Sequence, residues 1–208
     1  MRTILAAIAL ITLSAGAFAQ PTGQFVEGTH YERVSDAPSA NTDGIEVLEV
    51  FSYGCPHCVS MQPHLKAWLA SKPAQVKLNH MPATFRPDFE LYARGYYAAE
   101  SIGLLAQTHE RMFALAEASH GKVRNIDDLA GLYAELGVDG EKLKAVGKSF
   151  AVDMRIREVN QRLPKLKVSF TPSFIVAGKY RVKNEALHSP AEIFAVIDFL
   201  IAKERAEH

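Results

Sequence analysis

Apolar residues follow two periodicities in the first half of this chain. Residues 45–51 form a largely apolar run, typical of a strand buried on both faces. Four apolar side chains then recur at helical spacing: Cys58, Met61, Leu65 and Trp68. This spacing predicts a helix over 56–71, and a second strand follows over 76–81. Because the two strands need a crossover helix between them, we expect a β-α-β unit.

The middle of the chain carries helical patterns alone. They cover residues 91–104, 108–119, 126–136 and 140–160. Strand signals return only at 173–176 and 180–182, on either side of a turn at Ala177 and Gly178. The pattern therefore predicts an α/β protein that is interrupted by a helical region.

The two ends of the chain complete this picture. Residues 25–34 are predicted to form a short strand before the first buried one. Residues 190–205 form an amphipathic pattern, with Ser189 as the expected N-cap. The predicted helix at the carboxyl end would cover one face of the sheet.

The amino terminus has the features of a secretory signal peptide. Arg2 precedes an uncharged apolar run, and small residues end at Ala19. The run is shorter than the roughly 20 residues that a permanent membrane anchor needs, although anchoring stays an alternative. We therefore divide the chain into a signal peptide (1–19), a first α/β part (20–83), a helical insertion (84–162) and a second α/β part (163–208). The mature chain is expected to be soluble and monomeric.

Charge and cysteine content narrow the functional classes. The chain has 23 basic and 23 acidic residues, a balance that argues against a nucleic-acid partner. Its two cysteines lie three positions apart. The predicted signal peptide would export the chain to a compartment that favours disulfides. A loop this short would restrict the unfolded chain by only about 2 kcal/mol, so a purely structural bridge is a weak explanation. A zinc site is the other alternative, completed by histidines such as His57, His64 or His80.

The position of the cysteines favours redox chemistry. They lie where the first buried strand ends and a helix begins, and the free N–H groups of a helix N-terminus favour a thiolate. Pro56 suits the first helical position, and His57 would add a further stabilising interaction. We expect Cys55 to be exposed and to react with substrates, and Cys58 to be the shielded resolving thiol. A strongly lowered pKa of Cys55 would stabilise the reduced form and make the disulfide an oxidant.

Two segments resemble a known family. Residues 49–58 (EVFSYGCPHC) and 171–180 (TPSFIVAGKY), together with the long helical insertion between them, are similar to the thioredoxin superfamily and, within it, to the DsbA-type periplasmic disulfide oxidases. The resemblance implies a thioredoxin fold with a large inserted helical subdomain. It also implies that the Cys55–Cys58 disulfide passes to reduced, unfolded exported proteins, that a DsbB-type inner-membrane quinone oxidoreductase restores it, and that no prosthetic group or metal takes part.

Further residues acquire expected roles from the same resemblance. Pro172 resembles the family's cis-proline, and with Thr171 and Tyr53 it would belong to the substrate-binding surface. Glu49 resembles a buried acid that exchanges a proton with Cys58; the alternative is a solvent-facing carboxylate on an edge strand. His80 stands where similar proteins place a basic group, although a lone strand histidine is more often simply hydrogen-bonded.

The sequence departs from the best-known family pattern at two positions. Thr171 replaces an expected valine, and Gly54 replaces an expected aromatic residue. Two other functions therefore stay open. One is a disulfide isomerase or reductase of the same fold, and the other is a non-catalytic, chaperone-like binding protein.

Overall fold

The computed structural model describes residues 25–35 and 44–207. The predicted signal peptide, residues 1–19, lies outside these ranges. Five strands form one mixed sheet in the order β1-β5-β4-β2-β3. They are β1 (Tyr31–Arg33), β2 (Ile45–Phe51), β3 (Val76–Pro82), β4 (Ser173–Val176) and β5 (Tyr180–Val182). Strands β2 and β3 are parallel, and the other neighbours are antiparallel.

Seven α-helices accompany the sheet in the described residues. Helix α1 (Pro56–Ala70) is the crossover between β2 and β3, as predicted. The helical insertion follows as α2 (Pro87–Ser101), α3 (Leu105–Ala118), α4 (Ile126–Glu135), α5 (Gly140–Gly147) and α6 (Phe150–Lys165). Helix α7 (Pro190–Ala206) ends the chain, and Ser189 caps it by accepting a hydrogen bond from the Glu192 N–H. Within the ranges that the structure covers, no helix is both long and apolar enough to cross a membrane.

The apolar residues form two cores that meet at the sheet. One core packs α1 and α7 against the sheet and includes Trp68, Phe174 and Ile197. The other joins the insertion to the end of β2 and includes Phe51, Tyr53 and both cysteines. The segment from Phe51 to Cys58 therefore lies where the thioredoxin-like part and the insertion pack together.

Two predicted elements were wrong in extent. The strand expected over 25–34 is reduced to Tyr31–Arg33, because residues 26–30 turn at Gly28, whose φ of +85° suits glycine. The single helix expected over 140–160 is two helices, α5 and α6. The break falls at Lys148 and Ser149, and Ser149 begins α6 by accepting a hydrogen bond from the Val152 N–H.

Candidate active site

The Cys-Pro-His-Cys segment joins the end of β2 to the start of α1. Cys55 is the N-cap residue, with extended backbone angles, and Pro56 is the first helical residue, as predicted. The N–H groups of Cys58 and Val59 donate to the Cys55 carbonyl at 3.0 and 3.1 Å. Cys55 therefore lies at the N-terminus of α1, where the first N–H groups of a helix favour a negative charge.

The two cysteines are free thiols and differ in exposure. Cys58 is completely buried, whereas Cys55 is 6% exposed. The prediction of an exposed Cys55 was therefore wrong in degree, although Cys55 is still the more accessible sulfur. The reason is the loop before β4, because the carbonyl oxygen of Thr171 lies 3.4 Å from the Cys55 sulfur.

The environment separates the acidities of the two thiols. A hydrogen bond from the Cys58 thiol is the largest influence on Cys55 and lowers its pKa to about 5, against the opposing effect of burial. Hydrogen bonds from Thr171 and from the N–H groups of Cys58 and His57 lower the pKa further. Burial raises the pKa of Cys58 far above its usual range, and the neighbouring Cys55 adds to this effect. At neutral pH, Cys55 is a thiolate and Cys58 a thiol.

His57 acts on Cys55 differently from what we expected. The His57 side chain is exposed. The backbone N–H of His57, and not its imidazole, is among the main groups that lower the pKa of Cys55. The position at the helix start therefore matters more here than the imidazole.

The loop that faces Cys55 contains the predicted cis-proline. The Thr171–Pro172 peptide bond is cis, which confirms the expectation from the family resemblance. The Asn184 side chain donates to the Pro172 carbonyl at 3.0 Å and fixes one side of the loop. Thr171 is 9% exposed and lies against the sulfur.

Glu49 lies on β2, an interior strand of the sheet, and is fully buried, so the alternative of a solvent-facing edge residue was wrong. The Gln62 side chain donates to one carboxylate oxygen at 3.2 Å, and His80 Nε2 lies 3.5 Å from the other. Burial raises the pKa of Glu49 to about 8, against the hydrogen bond from Gln62 and with a smaller contribution from Cys55. Glu49 is thus a protonated acid near neutral pH, close enough to the dithiol to raise the pKa of Cys58 as well.

Tyr53, predicted to belong to the substrate-binding surface, is almost completely buried and contributes to the wall of a cavity beside Cys55. The residue is 1% exposed, and its hydroxyl lies 2.8 Å from Nδ1 of His109 on α3. Burial also lowers the pKa of His109 to about 3, so this imidazole is neutral. Its ring is tilted by 54° against that of His80, with centroids 4.4 Å apart.

Sequence reasoning missed His109, for which it saw no ligand spacing. One signal was present, because His109 precedes Met112 and Phe113 by three and four positions on the buried stripe of α3. Over residues 25–35 and 44–207, no group of three or more His, Cys, Asp or Glu side chains is arranged to hold a metal ion. The arrangement that is present, an acidic thiol above a protonated thiol and a buried acid, suits thiol–disulfide exchange.

Comparisons with known proteins agree with this geometry. The family model of the DSBA-like thioredoxin domain matches residues 46–194. The thiol:disulfide interchange protein DsbA of Pseudomonas aeruginosa is 30% identical over 207 residues, covering 99% of this chain and 98% of the relative. The protein of the same name from Pseudomonas syringae pv. tomato is also 30% identical, over 99% of this chain and 97% of the relative.

Solved structures give the same result. The crystal structure of Pseudomonas aeruginosa DsbA matches with a TM-score of 0.79 at 30% identity, over 88% of this chain and 96% of that one. The oxidoreductase DsbA from Xylella fastidiosa matches with a TM-score of 0.75 at 31% identity, over 85% and 96%. The chain therefore belongs to the family of DSBA-like thioredoxin domains, and it is a thiol:disulfide oxidoreductase of the DsbA type.

Proposed function

We propose that this oxidoreductase acts as a dithiol oxidase, which gives its Cys55–Cys58 disulfide to reduced, unfolded exported proteins. The observation that carries the proposal is the lowered pKa of Cys55, about 5, beside a Cys58 whose pKa is raised. A thiolate stabilised in the reduced protein makes the disulfide easier to reduce.

The size of this effect is enough to set the direction of exchange. A pKa of about 5 is 7 − 5 = 2 units below neutral pH. Each unit is worth about 1.4 kcal/mol, which corresponds to about 30 mV for a two-electron couple. The stabilised thiolate therefore raises the reduction potential, which favours oxidation of an ordinary dithiol.

The reaction proceeds through a mixed disulfide. A substrate thiolate attacks the Cys55 sulfur, the Cys55–Cys58 bond breaks, and Cys58 leaves with the electron pair. Glu49, which holds a proton near neutral pH, supplies it to the Cys58 sulfur. A second substrate thiolate then attacks the substrate sulfur of the mixed disulfide, and Cys55 leaves as a thiolate. The substrate has lost two electrons, and the enzyme dithiol has gained them.

The loop at Thr171 and Pro172 supports an extended substrate segment beside the sulfur. The Cys55 thiol lies 3.4 Å from the Thr171 carbonyl, so a chain bonded to Cys55 passes next to this backbone. Pairing of the substrate backbone with this loop would give affinity without demanding a particular sequence.

The cellular cycle belongs to the same proposal. The signal-peptide pattern of residues 1–19 would export the chain to the periplasm, and cleavage there would leave a soluble protein. A DsbB-type quinone oxidoreductase of the inner membrane would accept the two electrons and restore the disulfide. The exchange itself needs no further cofactor, because both sulfurs belong to the chain.

The equilibrium with glutathione tests the direction of the reaction. The mature protein is incubated with defined ratios of reduced and oxidised glutathione, and the fraction of free Cys55 and Cys58 is measured by alkylation and mass spectrometry. We expect the dithiol to persist under conditions in which ordinary structural disulfides are fully formed. A potential as low as that of a structural disulfide would contradict the oxidase proposal and favour a reductase of the same fold.

A further inference from the structure

A cavity of about 500 Å³ lies beside the active-site segment. Gly54 and Pro56, the two neighbours of Cys55, line one wall together with Val59. The opposite wall comes from the helical insertion and includes Tyr92 and Val123. The cavity therefore opens directly next to the residue that bonds to substrate.

Gly54 determines the shape of this cavity. A Cβ atom at this position would lie 2.8 Å from Cε2 and 3.2 Å from Cδ2 of Tyr92. Tyr92 is 4% exposed and packed in the core, so its ring has little room to withdraw. Any side chain at position 54 would displace Tyr92 or point into the cavity. The departure from the expected aromatic residue at this position thus leaves the space open.

One part of the cavity wall is apolar and the rest is polar. Pro56, Val59, Tyr92 and Val123 belong to the apolar part, whereas Arg86, Asp88, Glu117 and His120 line the polar part. At the rim, Arg86 donates to both carboxylate oxygens of Asp88, at 3.0 and 2.8 Å, so these two charges satisfy each other. An apolar side chain that entered would gain from leaving water where it contacts the apolar part of the wall.

The occupant is part of the substrate itself. During the mixed disulfide the substrate chain is bonded to Cys55, so residues near its cysteine reach the cavity without a separate binding event. Thr171 and Pro172 do not line the cavity. The cavity and the cis-proline loop thus contact different parts of the same substrate segment.

We propose that this cavity is a specificity subsite that receives a large apolar side chain from the substrate, such as phenylalanine, within a few residues of the attacking cysteine. This inference rests on the proposed oxidase function and deepens it. Such a subsite would make the enzyme prefer cysteines that are flanked by apolar residues. A folded protein buries these segments, whereas an unfolded protein exposes them.

Oxidation rates of short dithiol peptides test the subsite. A reference peptide carries alanine around its first cysteine, and a series moves one phenylalanine through the three positions on each side. The rate constants with the oxidised protein are measured by acid quench and chromatography. We expect one position to react about tenfold faster than the reference, which corresponds to about 1.4 kcal/mol. A failure to oxidise even the alanine peptide would contradict the oxidase function, whereas equal rates for all peptides would overturn the subsite alone.

Variants that fill the cavity give a second test of the subsite. Val123→Trp places an indole in the space and is expected to reduce the phenylalanine preference below twofold. Met154→Trp is the control, because it introduces the same side chain on α6, on an exposed residue outside the cavity, and keeps the tenfold preference. If Val123→Trp lowers the thermal stability of the fold, Val59→Trp fills the other wall. A preference that survives in a folded, filled variant would overturn the proposal.

Discussion

The carboxyl group of Glu49 and the imidazole of His80 face each other across two parallel strands, with Oε2 and Nε2 3.5 Å apart. Both groups are neutral near pH 7, because burial raises the pKa of Glu49 to about 8 and lowers that of His80 to about 4. The contact is therefore not an ion pair at that pH. Burial, and not this contact, keeps the proton on Glu49 near neutral pH.

Glu49→Gln should stabilise the reduced protein, and increasingly so as the pH rises. The folded pKa of about 8 lies above the ordinary value of 4.5, so the folded state loses stability as the pH rises through this window. Glutamine has no proton to lose, and the difference should grow by roughly 1.4 kcal/mol per pH unit at most. Urea denaturation at pH 5 and pH 8 measures this change.

Glu46→Gln is the matched control for this experiment. Glu46 lies on the same strand but is only half-buried and accepts a hydrogen bond from Asn79 at 2.8 Å. Its replacement should change stability equally at both pH values. An equal effect of the two substitutions across the pH range would contradict the assignment of a buried, protonated Glu49.

Cys58→Ala should raise the pKa of Cys55 by more than about one unit, while Cys58→Ser should change it less. The hydrogen bond from the Cys58 thiol is the largest influence that lowers the pKa of Cys55. Alanine removes the donor, whereas a serine hydroxyl still donates. Titration of the thiolate absorbance of each variant decides the matter. Identical curves for the two variants would show that the helix N-terminus, not Cys58, sets the acidity.

Thr171→Val should raise the pKa of Cys55 by a smaller amount. The Thr171 hydrogen bond lowers this pKa but ranks after that of Cys58, and valine keeps the shape of the side chain without the hydroxyl. Thr171→Ser keeps the hydroxyl and is the control. We expect a more acidic Cys55 in the serine variant than in the valine variant, measured by the same titration. The reverse order would exclude a role for the hydroxyl.

Local patterns predicted the fold class and the dithiol, because these features depend on residues that are close together in the sequence. A buried strand, a helix start and two cysteines three positions apart all lie within residues 45–58. The apolar periodicity did not predict the break between α5 and α6, because it continues through Lys148. Only the N-cap residue Ser149 marks the start of a new helix.

Long-range contacts account for the rest of what the sequence could not reveal. The covering of Cys55 comes from Thr171, which lies 116 positions away. The burial of Tyr53 depends on His109, 56 positions away. An aromatic residue just before the cysteines fits an exposed recognition surface and a buried core equally well. Only the packing of the insertion against the end of β2 distinguishes the two.

Tyr53→Phe should therefore destabilise the protein, although it removes a single oxygen atom. The Tyr53 hydroxyl lies 2.8 Å from Nδ1 of His109, and the other ring nitrogen of His109 is buried without a hydrogen-bond partner. The substitution leaves both nitrogens of a buried imidazole unsatisfied, at a cost of about 1–3 kcal/mol. The free energy of unfolding in urea measures this loss.

The double variant Tyr53→Phe, His109→Leu separates that cost from a loss of packing. It replaces both partners with apolar groups, so no polar atom of the pair stays buried without a partner, and the destabilisation should be smaller than in Tyr53→Phe alone. A double variant less stable than the single one would mean that His109 supports the fold by more than this hydrogen bond. In that case the contact of its ring with Phe51, at 5.2 Å between centroids, becomes the principal link between α3 and the strand that leads to Cys55.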